Sequence, residues 1–129
     1  SKEPLLLNVN AYPTYVGYYQ RPINSGRKSQ GIHGYNGVDL AATTGTPIYA
    51  AADGKVIIAR TSGYNGGYGL YVAIAHSNGT QTVYGHMSKV NVLVGQSVAQ
   101  GQIIGAVGNT GRSTGSHVHF EIRGAKNPF

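Results

Sequence analysis

Five histidines, at positions 33, 76, 86, 117 and 119, carry most of the chemical potential of this chain. An imidazole can ligate a metal through a lone pair or carry a proton near neutral pH. His117 and His119 lie in HVHFEIR. In a strand successive side chains point to opposite faces, so Val118, Phe120 and Ile122 share one face. His117, His119, Glu121 and Arg123 share the other, with the two imidazoles about 7 Å apart at the backbone. His86 ends TQTVYGH, where it shares a strand face with Tyr84, and it can reach the same patch if the two strands are neighbours. His33 and Asp39 lie in IHGYNGVDLAA, a glycine-bearing loop able to fold both side chains onto one ion. Asp39 stands where an apolar Leu-Ala-Ala run begins, and a buried carboxylate needs a partner, of which a metal is one. His76 shares a face with Leu70, Val72 and Ile74 and reads as structural.

These side chains need a scaffold, and the sequence points to strands. Twenty glycines in 129 residues are about double the usual share of roughly 7%. Charged residues make up 11%, against a typical value of ~25%. No long segment has a helical apolar period. TPIYAAA and KVIIART are separated by Asp53-Gly54, a two-residue hairpin signal. LYVAIAH and TQTVYGH flank Ser77-Asn78-Gly79, a second hairpin signal. SGYNGGYG (62–69) and NTGRSTGS (109–116) read as loops, GQSVAQGQIIGAVG as short strands, and RPINSGRKSQG as a polar loop before His33. The expected fold is all-β, an antiparallel β-roll or sandwich with long loops framing a groove and little helix. Prolines and clustered tyrosines in residues 1–30 suggest an N-terminal arm packing on a domain formed by residues 31–129.

The net charge is +6. It suits an acidic partner such as an anionic cell-wall polymer, an anionic lipid or a nucleic acid. No RNP-like aromatic strand and no recognition helix support nucleic acid. No run of 18 apolar residues is present, so no transmembrane helix is expected. Without cysteine, disulfides and thiolate metal sites are excluded.

The segments HGYNGVDLAATTGTPIYAAADGKV (33–56), GYGLYVAIAHSNGTQTVYGHMS (67–88) and VGQSVAQGQIIGAVGNTGRSTGSHVHFEIR (94–123) together resemble the M23 family of zinc metallopeptidases, the lysostaphin-like group. The resemblance implies one zinc ion per chain, held by His33, Asp39 and His119. It places the family's two non-ligand histidines on His86 and His117, as catalytic residues. It implies a zinc metalloendopeptidase acting on bacterial peptidoglycan peptides, in the cross-link, stem or bridge, outside the cytoplasm in the extracellular or periplasmic envelope. Two positions depart from the family pattern. The commonest first motif, H-x-G-x-D, would put a ligand at Tyr35, whereas the histidine here lies two residues earlier. Leu70 stands where many members carry Asn.

Two His and one Asp leave a fourth zinc position open, the pattern of a catalytic site. H-E-x-x-H is absent, and the resemblance implies that His86 and His117 take the proton transfers an amide needs. Tyr35 and Tyr68 are candidate substrate contacts lining the groove. Glu121 reads as a solvent-exposed strand residue paired with Arg123 or Arg60, in preference to a support for His119. The expected partners are peptidoglycan peptides, with an activator or an inhibitory upstream segment as further candidates, and the chain is expected to be monomeric. Two other readings compete. One is a catalytically inactive wall-binding or regulatory module of the same fold. The other is a biotinyl- or lipoyl-like carrier modified at Lys55, suggested by VGQSVAQGQIIGAVG, which leaves the histidines unexplained.

Overall fold

A computed structural model of the chain describes residues 11–33 and 36–129. Residues 1–10 of the expected arm, and Tyr35, lie outside the described residues. The strands are β1 (Arg27–His33), β2 (Gly37–Ala41), β3 (Pro47–Tyr49), β4 (Gly54–Arg60), β5 (Leu70–His76), β6 (Gln81–Val90), β7 (Ser97–Val98), β8 (Ile103–Val107) and β9 (His117–Arg123). They form one sheet in the order β1-β2-β9-β6-β5-β4-β7, with β8 pairing both β3 and β6. Every pairing is antiparallel. Among the described residues there is no α-helix, and a 3₁₀ turn lies at Asn65–Gly67. The fold is the expected antiparallel β-roll.

The strand alternation read from HVHFEIR holds. Val118, Phe120 and Ile122 are fully buried, as are Val38 and Leu40 on the neighbouring β2. Such side chains each stabilise the fold by about 1.5–3 kcal/mol relative to exposure. Tyr84 packs its ring 5.3 Å from that of Phe120 in the same core. Ser77-Asn78-Gly79 turns β5 into β6 as expected, with Gly79 at φ 85°. Tyr19 and Ile23, from the stretch read as an arm, are buried in the core. The backbone there docks through Gln20 N–H to the Ala51 carbonyl and Tyr49 N–H to the Pro22 carbonyl, each at 2.7 Å.

Two local expectations are corrected. Asp53-Gly54 is not a hairpin: β3 pairs with β8, while β4 pairs with β5 and β7. Asp53 instead accepts the Gln100 N–H on Oδ1 at 2.6 Å. The stretch before His33 is a strand rather than a loop. Its side chains are exposed along most of β1, so no apolar alternation marked it, and pairing with β2 alone sets its conformation.

His76 belongs to this scaffold. Its Nδ1 lies 2.7 Å from the Asp53 carbonyl and its Nε2 2.7 Å from Thr82 Oγ1. A carbonyl only accepts, so Nδ1 carries the proton and Nε2 accepts from Thr82. Thr82 in turn lies 2.7 Å from the Tyr84 hydroxyl, which accepts the Ala51 N–H. The chain of donors therefore runs one way, from Ala51 to Asp53. Tyr18 and Tyr19 set ring edges against the imidazole. Burial lowers the pKa of His76, and the Asp53 carbonyl and charge only partly offset it. The unfolded chain would thus take up a proton that the folded chain refuses. His76 should cost no stability above about pH 6.5 and reduce it progressively below. Denaturant unfolding at several pH values should show a shallower loss on acidification in His76→Gln than in wild type. Equal slopes would contradict this assignment.

Candidate metal centre

The site is built on register. In the β2–β9 pairing Asp39 stands directly opposite His119, Gly37 opposite Glu121 and Ala41 opposite His117. In β6–β9, Gly85 stands opposite His119. Gly37 and Gly85 lack side chains where space is needed. A Cβ at Gly37 would sit 2.6 Å from the His119 ring. The β1–β2 hairpin pairs His33 with Gly37 and so returns His33 over the same patch. Its turn is anchored by buried Asn36 at φ 61°, whose amide donates to the carbonyls of Ile122 and Ala125 at 2.8 and 2.6 Å. That anchor accommodates the two additional residues between His33 and Asp39.

One carboxylate oxygen gathers three imidazoles. Asp39 Oδ1 lies 2.8 Å from His119 Nδ1, 3.2 Å from His33 Nε2 and 3.6 Å from His117 Nε2. Burial would raise the pKa of Asp39, but the His119 hydrogen bond and the charges of His117, His119 and His33 hold it below its ordinary value. His33 Nε2 is buried and makes no hydrogen bond. Ligand atoms of His33, Asp39 and His119 lie within 4.8 Å of one another. Two nitrogens and an oxygen converging this closely, one nitrogen without a hydrogen-bond partner, suit a single zinc ion.

His119 is held from both sides. Its Nε2 lies 2.8 Å from Glu121 Oε2, and with a proton on each nitrogen it is a cation between two carboxylates. Burial opposes that charge, but the Asp39 and Glu121 hydrogen bonds outweigh it and push the pKa up to about 9. A metal at Nδ1 would take the place of that proton. Glu121 departs from the expectation of an exposed residue. It is 1% exposed and accepts from Tyr68 at 2.6 Å and from Arg123 at 2.9 Å. The pairing with Arg123 is as expected, whereas the burial comes from the 62–69 loop folding over this face. The Tyr68 hydroxyl proton is committed to Glu121, and its ring stacks on Tyr71 while lining the groove. Burial and the Glu121 charge raise the Tyr68 pKa.

His86 reaches the patch by a route the alternation rule misses. Tyr84 faces the core, so His86 would follow it there, yet its ring lies 4.7 Å from that of His117 and 6.1 Å from that of His119. The cause is a left-handed backbone at His86, φ 60°, where β6 leaves β9 and takes up β8. The Tyr68 carbonyl accepts the His86 N–H at 2.7 Å and holds this conformation. Both flanking imidazoles have fixed tautomers. His86 Nδ1 donates to the Thr110 carbonyl and His117 Nδ1 to the Gly115 carbonyl, each at 2.7 Å. In its neutral form each therefore carries its lone pair on Nε2. Burial, with the neighbouring imidazoles, lowers the pKa of His86.

These side chains line an open groove of about 660 Å³ walled by the 62–69 and 109–116 loops. A glycine seam joins the loops. Arg112 N–H donates to the Gly67 carbonyl at 2.8 Å, and Leu70 N–H to Thr110 Oγ1 at 3.1 Å. A Cβ at Gly111 would run into the Gly67 carbonyl oxygen and the Gly69 nitrogen.

A metal-suited His–Asp–His cluster at one end of a β-roll groove, flanked by two further imidazoles, defines a metallopeptidase-type site. Residues 33–129 match the description "Peptidase family M23", and the chain belongs to that family. It is 48% identical over 88 residues to the peptidoglycan DD-endopeptidase ShyA of Vibrio cholerae, covering 68% of this chain and 20% of that protein. A zinc-containing peptidase from Vibrio cholerae superposes with a TM-score of 0.64 at 39% identity, covering 87% of this chain and 35% of the other. The catalytic domain of lysostaphin from Staphylococcus simulans superposes with a TM-score of 0.63 at 38% identity, covering 91% and 84% respectively. The chain spans a fifth to about a quarter of the length of the first curated relatives it matches.

The seam yields a direct test. Gly111 and Gly79 both have positive φ, 73° and 85°, but only Gly79 faces open space. Gly79→Ala should cost about 1 kcal/mol from backbone strain alone. Gly111→Ala should cost at least ~2 kcal/mol more, because backbone atoms must move apart. Equal losses in denaturant unfolding would mean that the loops are not held at this point.

Proposed function

We propose that this chain is a zinc metalloendopeptidase domain hydrolysing peptide bonds of bacterial peptidoglycan, in the cross-link, stem or bridge. The convergence of His33, His117 and His119 on Asp39 Oδ1 carries the reading. His33 Nε2, Asp39 and His119 Nδ1 are the proposed ligands of one zinc ion. Zinc held there polarises a carbonyl and lowers the pKa of water to about 7. Glu121 orients the His119 ring through Nε2, as outer carboxylates commonly do for ligating histidines.

His86 and His117 are the proposed catalytic residues. Their Nε2 lone pairs can accept a proton from water and, once protonated, donate to an oxyanion or a leaving amine. The carbonyls of Thr110 and Gly115 keep each ring from presenting Nδ1 instead. Tyr68 lends its ring to the groove wall, where a substrate peptide can lie against it. The name of ShyA, a peptidoglycan DD-endopeptidase, supports the substrate class. The net charge of +6 suits an anionic wall, and such a substrate places the work outside the cytoplasm, extracellular or periplasmic. The described part of the 1–30 arm ahead of β1, residues 11–26, packs on the rest of the domain, a reading supported by the burial of Tyr19 and Ile23, while residues 27–30 belong to β1.

Metal content tests the ligands. Wild type should bind one zinc per chain and lose peptidoglycan hydrolysis on chelation. His33→Ala should lose the metal, and Glu121→Gln should weaken it by about 10–100-fold. Zinc affinity unchanged in His33→Ala would exclude that ligand. Turnover tests the other pair: His86→Ala and His117→Ala should retain zinc and lose about 100-fold or more in rate on cross-linked muropeptides. Wild-type rates in either variant would remove its catalytic role.

A further inference from the structure

The groove contains one charged side chain that nothing else engages. Arg112 lines it and is exposed, and among the described residues it has no ion pair and no side-chain hydrogen bond. The carboxylates that could neutralise it are already taken. Asp39 is surrounded by three imidazoles, and Glu121 by His119, Tyr68 and Arg123. Asp53 accepts from the Gln100 backbone. These are the side-chain carboxylates of the described residues, because Glu3 lies outside them.

The guanidinium also springs from a fixed point. Arg112 N–H is bound to the Gly67 carbonyl, and its Cβ lies 3.4 Å from where a Gly67 Cβ would be. It is therefore carried on the same seam that holds His86 through Thr110. A guanidinium offers a rigid fork of donors matched to a carboxylate. A peptide entering the groove meets this fork in the same groove as the metal cluster, where the two carboxylates, Asp39 and Glu121, are already partnered.

We propose that Arg112 is a specificity residue that reads a free carboxylate on the peptide, so that the preferred substrates are acidic peptides with a carboxylate close to the scissile amide. This rests on the peptidoglycan-peptidase reading. The carboxylate can be a chain terminus or a side chain, and the two sources separate experimentally.

The test uses zinc-loaded protein and cross-linked muropeptide dimers in which the terminal or the side-chain carboxylate is converted to an amide. For wild type, amidating the group that is read should lower kcat/KM by about 10–100-fold, mainly through KM. Arg112→Gln should lower kcat/KM on the free acid by a similar factor, leave the amide substrate unchanged and keep kcat within about twofold. Arg112→Lys should recover part of the loss, because it keeps the charge without the fork. Equal losses on acid and amide, or no loss on either, would overturn the proposal. Calorimetric titration with the corresponding product peptides is independent of turnover. Free-acid product should bind more weakly to Arg112→Gln than to wild type, while the amide binds both alike. If wild type cleaves no dimer yet shows this binding difference, the hydrolase reading fails and the carboxylate site stands. If dimers are cleaved without any acid–amide difference, the carboxylate site fails and the hydrolase reading stands.

Discussion

The arrangement depends on a single backbone conformation in the middle of β6. This strand runs from Gln81 to Val90, pairing with β9 as far as Gly85 and with β8 from Met87. His86 sits at the change of partner with φ 60°. A non-glycine residue in that region costs of order 1–3 kcal/mol and persists only where its surroundings over-determine it. Here the Tyr68 carbonyl takes the backbone N–H and the Thr110 carbonyl takes the ring N–H. The same kink that turns the sheet into a roll thus swings an imidazole out of the core side and toward His117 and His119.

Electrostatics in the groove are balanced pairwise. Asp39 and Glu121 stand on either side of His119, and Arg123 closes the outer end. Burying so many ionisable groups is costly unless each is hydrogen-bonded to a partner. His33 Nε2 is the conspicuous exception, which is why an ion at the centre completes the set.

Much of this was legible in the residues, and the remainder failed for identifiable reasons. HVHFEIR gave the two faces of β9 because its period is uninterrupted and its apolar set is strong. His33, Asp39 and His119 come together, although two extra residues separate the first pair. Asn36, which makes that possible by reaching β9 and the C-terminal stretch, carries no sequence signal of its own. The shared face read for Tyr84 and His86 failed because a positive φ at a non-glycine residue is invisible to periodicity. The burial of Glu121 is not legible in the sequence, because alternation tells which face a residue occupies and not what covers that face. The 62–69 loop covers it, and loop trajectories are set by long-range contacts such as Tyr68 to Glu121. Asp53-Gly54 has hairpin chemistry, but β3 and β4 find better partners elsewhere in the sheet.

The seam between the two groove loops has a consequence for how such a domain can diversify. It is made where main chain meets main chain, at Gly67, Gly69 and Gly111, with Thr110 as a side-chain rivet. Positions of that kind offer no side chain to exchange, and at Gly69 and Gly111 an added Cβ would run into the backbone of the facing loop. Selectivity is therefore free to drift at the rim, in the side chains of residues such as Arg112, whose backbone N–H is part of the seam but whose guanidinium is not. The catalytic geometry and the substrate preference are thereby uncoupled: one is written in backbone, the other in side chains.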